Sequence, residues 1–191
     1  MYNITSIHSN RLNKIRPILN LNLLDEFVWL AGGSLQTLVN KNTTVSDYDL
    51  FFKTPVVVEN VKNKLLNNGF DVIFECPLGE LFSYKKDDVK IQLITKFYYP
   101  DIETMLATFD FQCTMWGYDG KTLYTTRDAI KHSKNQTLSF NKITYPVATL
   151  KRIFKYVNNK DYTIDNDQLV SLVVNINTMD IDEANLIFYV D

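Results

Sequence analysis

Two pieces of residues 30–52 decide the fold: Leu30-Ala31-Gly32-Gly33-Ser34 and, after a polar loop, Ser46-Asp47-Tyr48-Asp49-Leu50-Phe51-Phe52. The first is the end of an apolar strand, Phe27 to Ala31, running into a glycine turn and a short helix that Ser34 is placed to cap. The second opens another apolar strand with two aspartates. Strand side chains alternate with a period of two, so Asp47 and Asp49 share a face and Tyr48 packs on the other. Two carboxylates that close repel each other and form a seat for a hard divalent cation. An Asp at a turn needs no role, but Asp49 stands in an apolar strand start, where a lone carboxylate is costly to bury. Glycine at a strand-to-helix turn lets a phosphate reach the backbone N–H groups. A phosphate cradle followed by a carboxylate pair is equipment for metal-assisted phosphoryl or nucleotidyl transfer.

The rest of the chain reads as alternating elements. Apolar spacing at Ile15, Ile18, Leu21 and Leu24 predicts a first helix within 11–24, interrupted by Pro17. Pro55 opens a helix to Asn67, and Gly69 stops it. Residues 71–75, 80–85 and 89–95 read as strands around turns at Pro77-Leu78-Gly79 and Lys86-Asp87-Asp88. A helix over 100–108 carries Asp101 and Glu103 in its first turn. A hairpin of 111–118 and 121–125 turns at Asp119-Gly120, and a short helix spans 126–132. A short extended piece at 137–140 precedes an amphipathic helix over 146–158, and helices over 165–177 and 182–190 finish the chain.

Three segments, in order, carry a resemblance. Gly32-Gly33-Ser34 with Ser46-Asp47-Tyr48-Asp49-Leu50 resembles the signature of the nucleotidyltransferases of the DNA polymerase β superfamily. More narrowly, it looks like the head of tRNA CCA-adding enzymes and bacterial poly(A) polymerases. Phe109-Asp110-Phe111-Gln112-Cys113-Thr114-Met115-Trp116-Gly117-Tyr118-Asp119 resembles their Arg-Arg-Asp-Phe-Thr stretch, and Tyr145 to Tyr156 resembles their basic helix. The resemblance implies an α/β (α+β) fold: a polymerase-β-like head with a mixed sheet flanked by helices over 1–140, and a small helical neck-like extension over 141–191. It implies Asp47 and Asp49 as catalytic metal ligands, with Mg²⁺ or Mn²⁺ as cofactor. It implies Gly32, Gly33, Ser34, Asp110, Lys151 and Arg152 on the phosphates of a nucleoside triphosphate, with Lys155 a further candidate.

This sequence departs from the family at two places. The position of a third acid is held by Gln92, which can accept a metal contact but cannot deprotonate a hydroxyl. Glu75 and Glu80 lie on the preceding strands. Thr108 and Phe109 stand where the two arginines of the family's motif would be, and Asp110 could equally turn the chain after a helix. The implied activity is transfer of a nucleoside monophosphate to an acceptor hydroxyl on an RNA end, a protein or a small molecule. The rival is a weakly active or inactive nucleotide- or protein-binding module of the antitoxin or inhibitor type.

Composition bounds these readings. The 191 residues are 46% hydrophobic, enough for a core, and the formal net charge of −2 gives no global field for nucleic acid. The arginines are Arg11, Arg16, Arg127 and Arg152 alone. Cys76 and Cys113 sit in apolar runs without ligand spacing and read as buried thiols; His8 and His132 have no local partner. With no signal segment or long apolar run, the expectation is a cytoplasmic protein without a membrane partner. A composition rich in Asn, Lys and Tyr suits an AT-rich bacterial or phage genome.

Overall fold

Local chemistry explains most of the element boundaries. The computed structural model describes residues 2–4, 9–40 and 44–178, with side chains from residue 12 onward. Strand β1 (Tyr2–Ile4) precedes a 3-10 segment, Ser9–Ile15, and α1 (Arg16–Leu19). Pro17 sits in the first turn of α1, where its missing N–H costs nothing, so the expected helix becomes a 3-10 segment and one short α-turn. Strand β2 (Val28–Ala31) is buried throughout and runs into a 3-10 helix, Gly33–Leu38. Strand β3 (Tyr48–Phe52) is followed by a 3-10 turn at Pro55–Val57 and by α2 (Val58–Asn67), which ends before Gly69 at φ +78°. Strands β4 (Asp71–Glu75), β5 (Leu81–Lys86) and β6 (Val89–Ile94) form a meander.

The Asp101 carboxylate accepts the Thr104 N–H at 2.7 Å and so caps α3 (Ile102–Leu106). The first half of the expected strand 111–118 is a 3-10 turn, Gln112–Thr114, before β7 (Trp116–Tyr118) and β8 (Leu123–Thr125). Thr126 caps α4 (Arg127–Asn135), which runs a turn past His132. The remaining elements are β9 (Thr137–Leu138), α5 (Pro146–Lys160), β10 (Thr163–Ile164) and α6 (Asn166–Asn177). The helix expected over 182–190, and His8, lie outside the described residues.

The main sheet has eight strands in the order β1-β8-β7-β2-β3-β6-β5-β4, and β9 and β10 form a separate parallel pair. Within the main sheet β3–β6 is parallel and the other neighbours are antiparallel, so the sheet is mixed, with α2 on the crossover. One face carries Leu30, Leu50, Phe52, Ile91 and Leu93, all fully buried in the main core against the N-terminal segments and α2. Alternation then commits their neighbours to the other face. Register partners cross that face in one row: Gly117 of β7, Ala31 of β2, Asp49 of β3, Gln92 of β6, Ser83 of β5 and Phe74 of β4. At the free edge β4 carries a bulge between Val72 and Phe74.

Small residues in that row let α3 reach the sheet. A Cβ added at Gly117 would stand 2.8 Å from Ile102 Cδ1 and 3.3 Å from Leu106 Cδ1. The chain then passes through Phe109 and Asp110 into a second core, where Phe111, Cys113 and Leu138 pack with Ile153, Tyr156 and Tyr162. The Asp110 carboxylate fixes α5 to this junction by accepting from Arg152 at 2.5 Å and Thr149 at 3.1 Å. Asp110 thus serves as an anchor for α5.

Gly117→Val should lower stability by about 1–3 kcal/mol, the usual cost of overpacking, read by urea denaturation. Asp110→Ala should lower it by about 1–3 kcal/mol, because it strands Arg152 and Thr149. A double-mutant cycle with Arg152→Met should recover part of that loss, and additivity would rule out the anchor.

Candidate active site

The glycine turn closes one end of a cavity of about 550 Å³. Gly32 has φ +83°, a conformation that favours glycine, and a Cβ there would lie 3.6 Å from Asp49 Oδ2. Its N–H donates to the Trp116 carbonyl at 2.9 Å, so it is engaged in the sheet. At Gly33 a Cβ would stand 3.4 Å from both Lys160 Nζ and the Tyr156 hydroxyl. Gly32 and Gly33 line the cavity, whereas Ser34 does not. The 3-10 helix starts a residue early, with Gly32 at the cap position, and Ser34 is carried inside it, buried and without a side-chain hydrogen bond. Ser34 is therefore neither a cap nor a cavity residue.

Asp47 and Asp49 both line the cavity, and Gln92, the register partner of Asp49, lines it beside them. Tyr48 points the other way, into the main core, and its hydroxyl donates to the Lys14 carbonyl at 2.8 Å. The Ser46 hydroxyl donates to Asp47 Oδ1 at 2.9 Å, and Lys155 Nζ stands 3.9 Å from Asp47 Oδ2. Gln92 Nε2 donates to the Ser83 hydroxyl at 3.3 Å. Among the described residues, no three His, Cys, Asp or Glu side chains gather as a metal set. Two carboxylates and a neutral carboxamide still fit one hard cation, because Mg²⁺ is usually held by one or two carboxylates and completed by water and phosphate oxygens. Glu80 reaches the cavity rim but pairs with Lys96 at 3.2 Å, and Glu75 lies on exposed β4.

Helix α5 supplies cations from one stripe. Thr149, Arg152, Lys155, Tyr156 and Lys160 line the cavity at helical spacing. Lys151 is exposed and outside the cavity, a rotation of one residue away from that stripe. Helix α5 runs to Lys160, two residues past the end at 158 that its amphipathic pattern predicts, and this places Lys160 four residues after Tyr156. Burial and the neighbouring Lys155 lower the pKa of Lys160, against the upward pull of Asp47 and Asp49. Burial raises the Tyr156 phenol well above its ordinary value, so it stays protonated and able to donate. Burial also pushes the Cys113 thiol up to about 12, which removes it as a nucleophile.

The rest of the wall is aromatic. Phe109, at one of the positions where the resembling motif has arginine, stacks obliquely on Phe51 with centroids 5.5 Å apart, and both face the cavity. Phe97, Tyr98 and Tyr145 also line the cavity, with Lys96 Nζ 5.9 Å and 5.6 Å from the Phe97 and Tyr145 ring centroids, and such rings suit a base or another aromatic group. In all, five basic side chains line the cavity against four carboxylates, a local balance opposite to that of the whole chain. His132 is occupied elsewhere, with Nδ1 2.6 Å from the Thr137 hydroxyl, and no described helix is long and apolar enough to cross a membrane.

Comparison with solved structures supports the fold. The complex of a CCA-adding enzyme with ATP superposes with a TM-score of 0.66 at 14% identity, over 93% of this chain and 49% of that one. The Thermotoga maritima CCA-adding enzyme complexed with tRNA gives 0.63 at 14% identity, over 91% of this chain and 46% of that one. At such identity the likeness establishes a nucleotidyltransferase-type fold, and the sequence matches place the chain in a different family from those enzymes. A relative described as Gabija anti-defense 2, from Bacillus phage SPbetaL7, is 30% identical over 148 residues, covering 76% of this chain and 36% of the relative. The chain thus spans about a third of that relative's length and about half of each solved structure. The family model for Gabija anti-defense 2 proteins matches residues 4–136, and the chain belongs to that family.

Proposed function

We propose that the protein is a nucleotidyltransferase-type anti-defense protein that binds a metal–nucleoside triphosphate in the cavity and acts against Gabija by transferring a nucleoside monophosphate. The observation that carries this reading is the row of register partners that sets Asp49 beside Gln92 and, with Asp47, opposite the Gly32–Gly33 turn. Asp47 and Asp49 would hold the divalent cation. When bound, that ion polarises phosphate oxygens and neutralises charge. The Gly33 backbone and the α5 cations would face the phosphates, and the aromatic end would take the base. The acceptor is a hydroxyl on an RNA end, a protein or a small molecule, and pyrophosphate leaves as its bond to the α-phosphorus breaks.

A second reading has its own support. Gln92 cannot serve as a base, and Thr108 and Phe109 supply no cation, so the same cavity suits a nucleotide-dependent binder that masks a Gabija component. Incubation of the protein with labelled nucleoside triphosphates, Mn²⁺ and the Gabija proteins or total RNA separates the two. Label transfer supports the enzyme; nucleotide binding and blocked defence without transfer support the binder.

The paired variant Asp47→Asn, Asp49→Asn should weaken Mg²⁺-dependent ATP binding by about tenfold or more, measured by calorimetry. The variant should still unfold in one cooperative transition, because Asp47 and Asp49 face the cavity and neither belongs to the main core. Unchanged binding would defeat the site assignment. Gln92→Glu should tighten Mn²⁺ binding, because it adds a third carboxylate beside Asp49. A metal titration showing no gain would remove Gln92 from the site.

A further inference from the structure

The cavity holds a lysine that the fold fixes with unusual care, and it stands where the polyphosphate would lie. Lys160 is the last residue of α5, and its carbonyl accepts from Gln136 Nε2 at 2.8 Å. The helix then ends abruptly, with Asp161 in the left-handed region at φ +56°. At the other end of the side chain, Nζ lies over the Tyr156 ring, 4.7 Å from its centroid. Backbone and ammonium are both held, and the ammonium faces the backbone of the turn at Gly33 together with the Tyr156 hydroxyl.

Charge gives this placement its meaning. A site with three carboxylates concentrates enough negative charge to hold two divalent cations, but here the row offers Asp49 beside the neutral Gln92. Asp47 already has Lys155 at 3.9 Å. A second divalent cation would meet two carboxylates and two lysines, a poor seat for it. A lysine needs no ligands to stay in place.

We propose that Lys160 is the permanent cation of the polyphosphate end, filling the part a second metal ion would play, so that the cavity selects nucleoside triphosphates with a single divalent cation. This rests on the nucleotide reading above and adds which residue enforces the choice. Lys160 donates to the terminal phosphate oxygens, and the neutral Tyr156 phenol donates beside it. A nucleoside monophosphate does not reach this end and gains nothing from it.

The test is calorimetric titration of the whole chain with ATP and with AMP, in Mg²⁺ and in EDTA, for wild type, Lys160→Met and Lys160→Arg. In Lys160→Met, ATP affinity should fall by about tenfold to a hundredfold, the range for a charge-assisted hydrogen bond, while AMP affinity holds. Lys160→Arg should recover part of the ATP affinity, because it keeps the charge. Wild type should retain preference for ATP over AMP in EDTA, and Lys160→Met should lose it. If the methionine variant has a lowered melting temperature, Lys160→Gln gives the same comparison with a polar end retained. ATP affinity unchanged to within about twofold, or equal losses for ATP and AMP, would overturn the assignment while leaving the nucleotide site standing. No ATP binding by wild type would overturn the nucleotide reading and this assignment together.

Discussion

The parity of β3 is the constraint on which the molecule depends. Leu50 and Phe52 must face the main core, where both are fully buried. That requirement alone sends Asp49 and Phe51 to the opposite face. A slip of one residue would bury the carboxylate and expose the leucine, so the hydrophobic core enforces the register of the charged site. Pairing on both sides carries the choice outward: Ala31 on β2 and Gln92 on β6 face the same way because they are partners of Asp49. The cavity is therefore a by-product of core packing, and its position is as rigid as the sheet.

The other wall reaches the site by a different route. Helix α5 has no strand partner and is held by packing and by charge. Its inner face enters the second core with Phe111 and Cys113, and the Asp110–Arg152 contact ties it to the turn that follows α3. The same helix then offers Lys155 to Asp47. Asp110 in the turn after α3 and Asp47 just before β3 thus face two basic residues about one helical turn apart on α5. The Asp110–Arg152 pair is the close one; Lys155 stands 3.9 Å from Asp47 and is about a third exposed, so that contact adds little to stability.

The glycine turn, the strands and the two aspartates were legible because each rests on local chemistry: alternation, glycine's freedom, and the cost of a carboxylate in an apolar strand. What stayed hidden depended on rotation and length. Ser34 looks like a cap by type, yet the helix begins one residue earlier and turns it inward. Lys151 and Arg152 are neighbours in sequence, but about 100° of helical rotation separates a solvent lysine from a cavity arginine. Lys160 became a cavity residue because the helix ran two residues beyond its expected end. Residues 111–114 show strand-like apolar character, but Phe111 and Cys113 serve a second core that local patterning does not announce. The chain's net charge of −2 also conceals a basic excess in the cavity, since composition averages over surfaces that face different ways.

The far edge of the sheet has a consequence for how molecules meet one another. Strand β4 ends the sheet with Asp71 and Glu75 flanking an exposed Val72, Ile73 and Phe74. Such an apolar edge invites edge-to-edge growth into larger assemblies. Two copies of β4 aligned antiparallel about Ile73 would set Asp71 of each against Glu75 of the other, and like charges placed opposite destabilise a pair. The bulge between Val72 and Phe74 adds twist at the same spot and breaks the ladder a second copy would need. Two acids and one surplus residue thus disfavour polymerisation through this strand.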